Sequence, residues 1–122
     1  MFLNFKTKED KIYNYMVKHH VGHKKMVKSN VLMKKFNIND NKTFRSYIEN
    51  IRLDEKYEKI ICSEAGQTGG YWIASNQEEI TETLEHLYKR AMQMLKTYSK
   101  IKNKAINDKQ CKLKLEMIEK EL

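Results

Sequence analysis

The 122-residue chain contains no proline and only four glycines. Because these two residues interrupt helices most strongly, their scarcity favours a mainly helical fold. The chain also lacks a run of the roughly 18 apolar residues that a membrane span requires, and its start, MFLNFKTKED, has no apolar run typical of a signal peptide. We therefore expect a cytoplasmic protein with no membrane association, built as one domain with an appendage.

Cysteines and catalytic motifs are equally sparse. Cys62 and Cys111 lie far apart with no further cysteine nearby, which indicates reduced thiols, the first of them a small core residue. The spacing of His19, His20 and His23 is unlike that of metal ligands on a helix, because a glycine interrupts it. No nucleophile elbow, phosphate-binding loop or pair of carboxylates in an apolar setting is present. We predict a protein that is not an enzyme and that has no metal or other cofactor.

Positive charge is concentrated in the first half of the chain. The net charge is +8, and residues 1–61 carry 14 Lys and Arg against 7 Asp and Glu, whereas residues 62–122 carry 10 against 9. Between Lys18 and Arg45 there are eight bases and one acid, Asp40. This excess favours a polyanionic partner, although a solvated lysine-rich face has the same composition.

Hydrophobic spacing predicts two helices in the basic half. Thr7 is a typical N-cap for a first helix over 8–20, and Gly22 follows where the helix should end. Ser29 is expected to cap a short second helix that stops at Asn37.

A third helix has the clearest pattern. Asn39 or Asp40 is suited to cap it, and it should end near Asp54. Its buried face is predicted by apolar residues spaced i, i+3, i+4 and i+7, namely Phe44, Tyr47, Ile48 and Ile51. With that face inward, a step of about 100° per residue turns outward the polar residues Lys42, Arg45, Ser46 and Glu49.

Three of the four glycines fall in the segment ICSEAGQTGGYWIAS, residues 61–75. Strands over 57–63 and 71–74 flank a GQTGG turn, which predicts a β-hairpin with a polar tip. We expect the glycines at 66, 69 and 70 to supply positive φ angles in this connection.

The rest of the chain is predicted to be helical. A long helix begins at Asn76, and its apolar residues alternate steps of four and three, as in a coiled-coil seam, until the register breaks at Asn107 and Asp108. A last amphipathic helix follows, with Leu122 as its final apolar residue. We favour self-association through Leu84, Leu87, Ala91, Met94, Tyr98 and Ile101. The alternative is that the two C-terminal helices fold back on their own domain.

The pattern KSNVLMKKFNINDNKTFRSYIENIR followed by KIICSEAGQTGGYWIAS resembles the winged helix-turn-helix family of DNA-binding domains over about residues 8–76. GGYWIAS followed by a capped helix is similar to wings in small phage- and plasmid-encoded replication, partition and repressor proteins. In that family the third helix enters the major groove and the hairpin, or wing, lies along the adjacent minor groove or backbone. The resemblance implies a mainly α fold with a small β-hairpin, divided into a DNA-binding domain over 1–76 and a helical dimerisation segment over 77–122.

Side-chain chemistry then predicts the contacts with DNA. On the third helix the candidates are Asn41, Lys42, Thr43, Arg45 and Ser46. Arg45 is suited to a guanine edge and Asn41 to an adenine edge. Five lysines are expected to neutralise phosphates, namely Lys24, Lys25, Lys28, Lys34 and Lys35. Gln67 and Thr68 at the wing tip are polar enough to reach a phosphate or the minor groove, although the tip lacks Arg and Lys.

These observations predict sequence-specific binding of double-stranded DNA by a homodimer. The protein would act as a transcriptional regulator, or as a plasmid or phage partition, transfer or replication accessory factor. The alternative is a protein-protein adaptor that uses the winged fold as scaffold and the C-terminal coiled coil as interaction surface. RNA binding through the same basic surface is a third option. In each case the C-terminal helices offer a site for a second protein partner.

Overall fold

The computed structural model describes residues 6–105 and 109–121. The described helices are α1 (Lys8–His19), α2 (Ser29–Lys35), α3 (Asn41–Leu53), α4 (Gln77–Ala105) and α5 (Lys109–Glu121). A short 3-10 turn, His23–Lys25, lies between α1 and α2, and strands β1 (Ile61–Ser63) and β2 (Tyr71–Ile73) pair antiparallel. The prediction of a mainly α chain with a small β-hairpin and C-terminal helices is confirmed. The predicted register break at Asn107 and Asp108, and Leu122, lie outside the described residues.

The chain divides into two units, and the division falls inside α4. The first unit extends to Leu84 and the second begins at Glu85, whereas the sequence placed the division between residues 76 and 77. The difference arises because the first two turns of α4 pack in the first unit. Thr83 is only 4% exposed, and the backbone oxygen of Glu79 lies 3.6 Å from the thiol of the buried Cys62.

The core of the first unit is built around the face of α3 that the sequence predicted. Phe44, Ile48 and Ile51 are each at most 2% exposed. They belong to one apolar cluster with residues from α1, α2, β1, β2 and the segments between them, namely Ile12, Met16, Val27, Leu32, Ile38, Ile61 and Ile73. The periodicity of α3 therefore determines which of its sides remains available to solvent.

Two of the three predicted caps in the basic half are confirmed. Thr7 caps α1 and Asp40 caps α3 through side-chain hydrogen bonds to backbone amides. The prediction that Ser29 caps α2 is wrong, because Lys28 occupies the cap position without a side-chain bond and Ser29 is already helical. The reason is that Val27 pairs with β2, which keeps the chain extended until the residue before Ser29.

The hairpin is shorter than predicted, but it gains a third segment. The expected strand over 57–63 is reduced to β1, because Tyr57 turns away to stack on Tyr13 with ring centroids 4.7 Å apart. The segment between α1 and α2 joins the other side of β2, where Val27 and Tyr71 exchange two backbone hydrogen bonds of 2.8 Å. The hairpin is thereby tied to the helical part of the unit.

The glycines of the hairpin serve two different purposes. Gly66 has a φ of 102°, as expected for a turn. The same expectation is wrong for Gly69 and Gly70, which have no positive φ. These two lack room for a side chain, since a Cβ atom would overlap the carbonyl oxygen of Glu64 at the first position and that of Val27 at the second.

The second unit consists of the remainder of α4 together with α5. Glu119 of α5 accepts hydrogen bonds of 2.5 Å from the Tyr98 hydroxyl and from the Lys102 ammonium group of α4. The six residues predicted to form the dimer seam are all exposed to solvent. Within residues 6–105 and 109–121, no helix is long and apolar enough to cross a membrane.

Candidate nucleic-acid interface

Helix α3 is held on two sides, which leaves a third side free. On one side, the Asn50 amide donates to the Glu9 carboxylate of α1 at 3.5 Å. On the other side, the Arg52 guanidinium donates to the carbonyl oxygen of Ile61 in β1 at 3.1 and 2.9 Å, and to the Ser63 hydroxyl at 3.0 Å. α1 and the hairpin therefore flank α3, and the exposed side lies between them.

Two of the predicted DNA-contacting residues of α3, Lys42 and Ser46, lie on this exposed side. Lys42 and Ser46 each lie two residues from the buried Phe44, a rotation of about 200° around the helix, so both lie on the side opposite the core. Arg45 precedes Arg52 by seven residues, which is close to two full turns, so it lies on the flank that faces the hairpin. In the first half of α3, Lys42 therefore makes the exposed side cationic, and Arg45 makes the flank facing the hairpin cationic.

All twelve predicted DNA-contacting residues are exposed. Within the described part of the chain, none of the seven cations among them takes part in an ion pair; they are Lys24, Lys25, Lys28, Lys34, Lys35, Lys42 and Arg45. The ammonium group of Lys35 lies 4.7 Å from the centre of the Tyr15 ring, and this cation–π contact orients its side chain. The positive charge of this surface is therefore available to an external anion.

The two predicted hydroxyl groups on α3 donate to groups of that helix and of its cap. Thr43 donates to the Asp40 carboxylate at 3.0 Å, and Ser46 donates to the backbone oxygen of Lys42 at 3.1 Å. The hydrogen bond from Thr43, together with those from backbone amides, holds the pKa of Asp40 below its usual value of 3.8. Because this carboxylate occupies the free amides of Lys42 and Thr43, we expect side chains of α3 to make most of the contacts with a phosphate.

The strand that follows the hairpin tip contacts the first turn of α3. The Phe44 ring meets the Tyr71 ring edge-on with centroids 5.5 Å apart, and Tyr71 follows the tip directly. Gln67 and Thr68 are exposed at this tip. Their side chains are neutral, and the carboxylate of Glu64, just after β1, lies 3.4 Å from the ring of His23.

Glu79 links several segments through hydrogen bonds, a role that the sequence did not predict beyond an acid at the start of a helix. Its carboxylate accepts from the Trp72 indole at 3.0 Å, from the amide and hydroxyl of Ser75 at 3.0 and 3.1 Å, and from the His23 amide at 3.2 Å. Burial opposes ionisation, but these hydrogen bonds hold the pKa of Glu79 below 4.5. Because a buried indole usually finds a hydrogen-bond acceptor, the single tryptophan was the one sequence feature that pointed to such a bond.

The histidines have structural contacts. His20 donates through Nδ1 to the backbone oxygen of Lys25 at 2.9 Å, and its ring lies 5.3 Å from that of Tyr15. His19 lies 4.7 Å from the same ring. In residues 6–105 and 109–121, no three His, Cys, Asp or Glu side chains are grouped to hold a metal ion.

Comparisons with protein-family models, with curated proteins and with solved structures each found no match to this chain. Its function therefore has to be inferred from the chemistry of its own residues.

Proposed function

We propose that the first unit binds double-stranded DNA in a sequence-specific manner, with α3 in the major groove. The observation that carries this proposal is the division of α3 into two sides. Phe44, Ile48 and Ile51 fill the core, and the opposite side is exposed with unpaired cations. A helix about 10–12 Å in diameter fits the major groove, which is about 12 Å wide.

The first half of α3 has the chemistry for reading bases. Arg45 offers a forked pair of donors that matches guanine O6 and N7, and the Asn41 amide matches the donor and acceptor of adenine. Further along, Glu49 and Leu53 are exposed and have nothing to offer a phosphate. We therefore propose that the N-terminal half of α3 contacts base edges and that its C-terminal half lies outside the groove.

Positioning on the duplex is assigned to the surrounding lysines and to the hairpin tip. Each lysine that neutralises a phosphate adds about 0.9 to the slope of log affinity against log salt concentration. The Phe44–Tyr71 contact supports a role for the tip, because it joins the strand that follows Gln67 and Thr68 to the first turn of α3. The tip then contacts the backbone or minor groove beside α3.

The order of elements supports the same proposal. Three helices followed by a glycine-containing hairpin are the features on which the resemblance to winged helix-turn-helix domains rests. Within that class, we assign the chain to transcriptional regulation or to partition, transfer or replication accessory functions of plasmids or phages. These roles share the same groove contacts.

The proposal is tested with duplexes selected from a random pool for binding to the full chain. Lys42→Ala combined with Arg45→Ala is expected to lower affinity and to reduce the salt slope in fluorescence anisotropy. The matched control is Lys112→Ala combined with Lys114→Ala, which removes the same charge from α5. Equal affinity and slope in all three proteins would favour the adaptor function, and equal competition by structured RNA would favour RNA as the ligand.

A further inference from the structure

The described residues of the second unit form no core of their own. Within residues 85–105 and 109–121 no side chain is buried. Large apolar side chains are exposed instead, namely Leu87, Tyr88, Met92, Met94, Leu95, Tyr98, Ile101, Leu113, Met117 and Ile118. Two helices that bury so little gain little to offset the entropy lost on ordering their chain. An apolar surface of this extent indicates an interface.

The apolar seam of α4 is symmetric about its middle. The seam residues recur in steps of four and three, and the midpoint falls between Met92 and Gln93. Leu84 and Ile101 are equally far from this point, and so are Leu87 and Tyr98, and Ala91 and Met94. Leu84, Met94 and Ile101 are 59%, 68% and 60% exposed, whereas Leu87 and Tyr98 are 37% and 38% exposed. The Tyr98 hydroxyl donates to Glu119 of α5, but its ring and the other seam side chains still reach solvent.

We propose that α4 pairs with α4 of a second copy of this chain in antiparallel orientation. The symmetry brings Leu84 opposite Ile101 of the second copy, and Leu87 opposite Tyr98 of the second copy. Ala91 meets Met94 of the second copy, so a small side chain faces a large one. In a parallel pair in register, Ala91 would face Ala91 and leave a void, whereas Met94 would crowd Met94.

Charge selects the same orientation. The start of α4 carries acids without bases, namely Glu78, Glu79, Glu82 and Glu85, and its end carries bases without acids, namely Lys96, Lys100, Lys102 and Lys104. Antiparallel pairing brings the acidic start of each α4 alongside the basic end of the other. Glu85 also pairs with Lys89 of its own helix at 3.1 Å, and Lys102 pairs with Glu119 of α5. A parallel pair would align acids with acids and bases with bases, which is unfavourable. Because one helix supplies both charges, the second copy is the complementary partner.

The first test is the mass of the full chain in the absence of DNA. Light scattering is expected to give twice the chain mass of 14.6 kDa. Leu87→Glu places a charge in the seam and is expected to give the single-chain mass. The matched control His86→Glu, one residue away and off the seam, is expected to retain the dimer. A single-chain mass for the unchanged protein, or a dimeric Leu87→Glu, would overturn the proposal.

Orientation is tested by disulfide formation in a Cys111→Ser background. Leu84→Cys together with Ile101→Cys is expected to give a crosslinked dimer on mild oxidation. Leu84→Cys alone is expected to give none, because antiparallel pairing separates the two thiols by about 25 Å at 1.5 Å per residue. Efficient crosslinking of Leu84→Cys alone would contradict the antiparallel arrangement. Neither measurement uses DNA, so failure here is distinguishable from failure of the proposed DNA binding.

Discussion

The indole nitrogen of Trp72 donates to the carboxylate of Glu79 at 3.0 Å, and this bond joins β2 to the first turn of α4. The same carboxylate accepts from Ser75 and from the backbone of His23. One side chain thus fastens the hairpin, the segment after α1 and the start of α4. It holds the hairpin to the first turn of α4, while Arg52 holds it to α3.

Glu79→Gln is expected to destabilise the first unit by about 1–3 kcal/mol, because the amide has one acceptor oxygen where the carboxylate has two. Glu78→Gln is the matched control, since it makes the same change one residue earlier at an exposed position. Urea unfolding followed by Trp72 fluorescence measures both. Equal midpoints for the two variants would show that the bonds of Glu79 add nothing to stability.

Asp10 should make stability depend on pH in the acidic range. The Tyr57 hydroxyl donates to it at 2.5 Å, and this bond is the main reason why the pKa of Asp10 falls from 3.8 to about 2. A carboxyl group with a lowered pKa stabilises the folded chain above its unfolded pKa, and the contribution disappears as pH falls from 3.8 towards 2.

Asp10→Asn should remove this part of the acid dependence and leave stability less sensitive to pH in that window. Thermal unfolding at several pH values between 2 and 5 measures the effect. Glu55→Gln, at an exposed residue, serves as the control and should keep the profile of the unchanged chain. Parallel profiles for Asp10→Asn and the unchanged chain would contradict the prediction.

Arg45 and Lys24 should differ in what they contribute to DNA binding. Arg45→Ala is expected to cost about 1–3 kcal/mol on the selected duplex and to relax specificity at one position. Lys24→Ala is expected to weaken selected and scrambled duplexes alike, because a phosphate contact carries no base information. Gel-shift titrations of both duplexes separate the two effects. The same pattern for both variants would argue against base reading by α3.

Gly69 and Gly66 should respond differently to alanine. Gly69→Ala forces a Cβ atom against the backbone oxygen of Glu64, so the tip has to open. Gly66→Ala meets no atom and suffers only the strain of its positive φ, about 1–2 kcal/mol. Unfolding midpoints should rank the unchanged chain first, Gly66→Ala second and Gly69→Ala last. The reverse order of the variants would mean that the tip tolerates a side chain at 69.

The parts of the fold that sequence predicted are those that local periodicity determines. Phe44, Ile48 and Ile51 fall on one side of a helix whatever surrounds it, and the same spacing predicts the exposure of Lys42. The bonds of Arg52 to β1 and of Glu79 to His23 join residues whose proximity arises only after the chain has folded. Periodicity contains no information on them. DNA contact by the exposed residues stays a prediction.

The shortened strand and the misassigned cap of α2 have a related cause. Ser29 is a good cap by residue type, but the pairing of Val27 with Tyr71 fixed the start of α2 instead. Tyr57 has strand propensity, but it lies outside β1 and its ring packs against that of Tyr13. Tertiary contacts overrode local preference at both places.

The pairing of Val27 with Tyr71 also has a consequence for biosynthesis. An early segment of the chain completes its backbone bonds only with a segment that the ribosome makes much later. The first three helices therefore leave the ribosome before β2, whose backbone bonds complete their packing. Nascent chains that end before Tyr71 should be sensitive to protease. Resistance should arise in one step once β2 has left the exit tunnel.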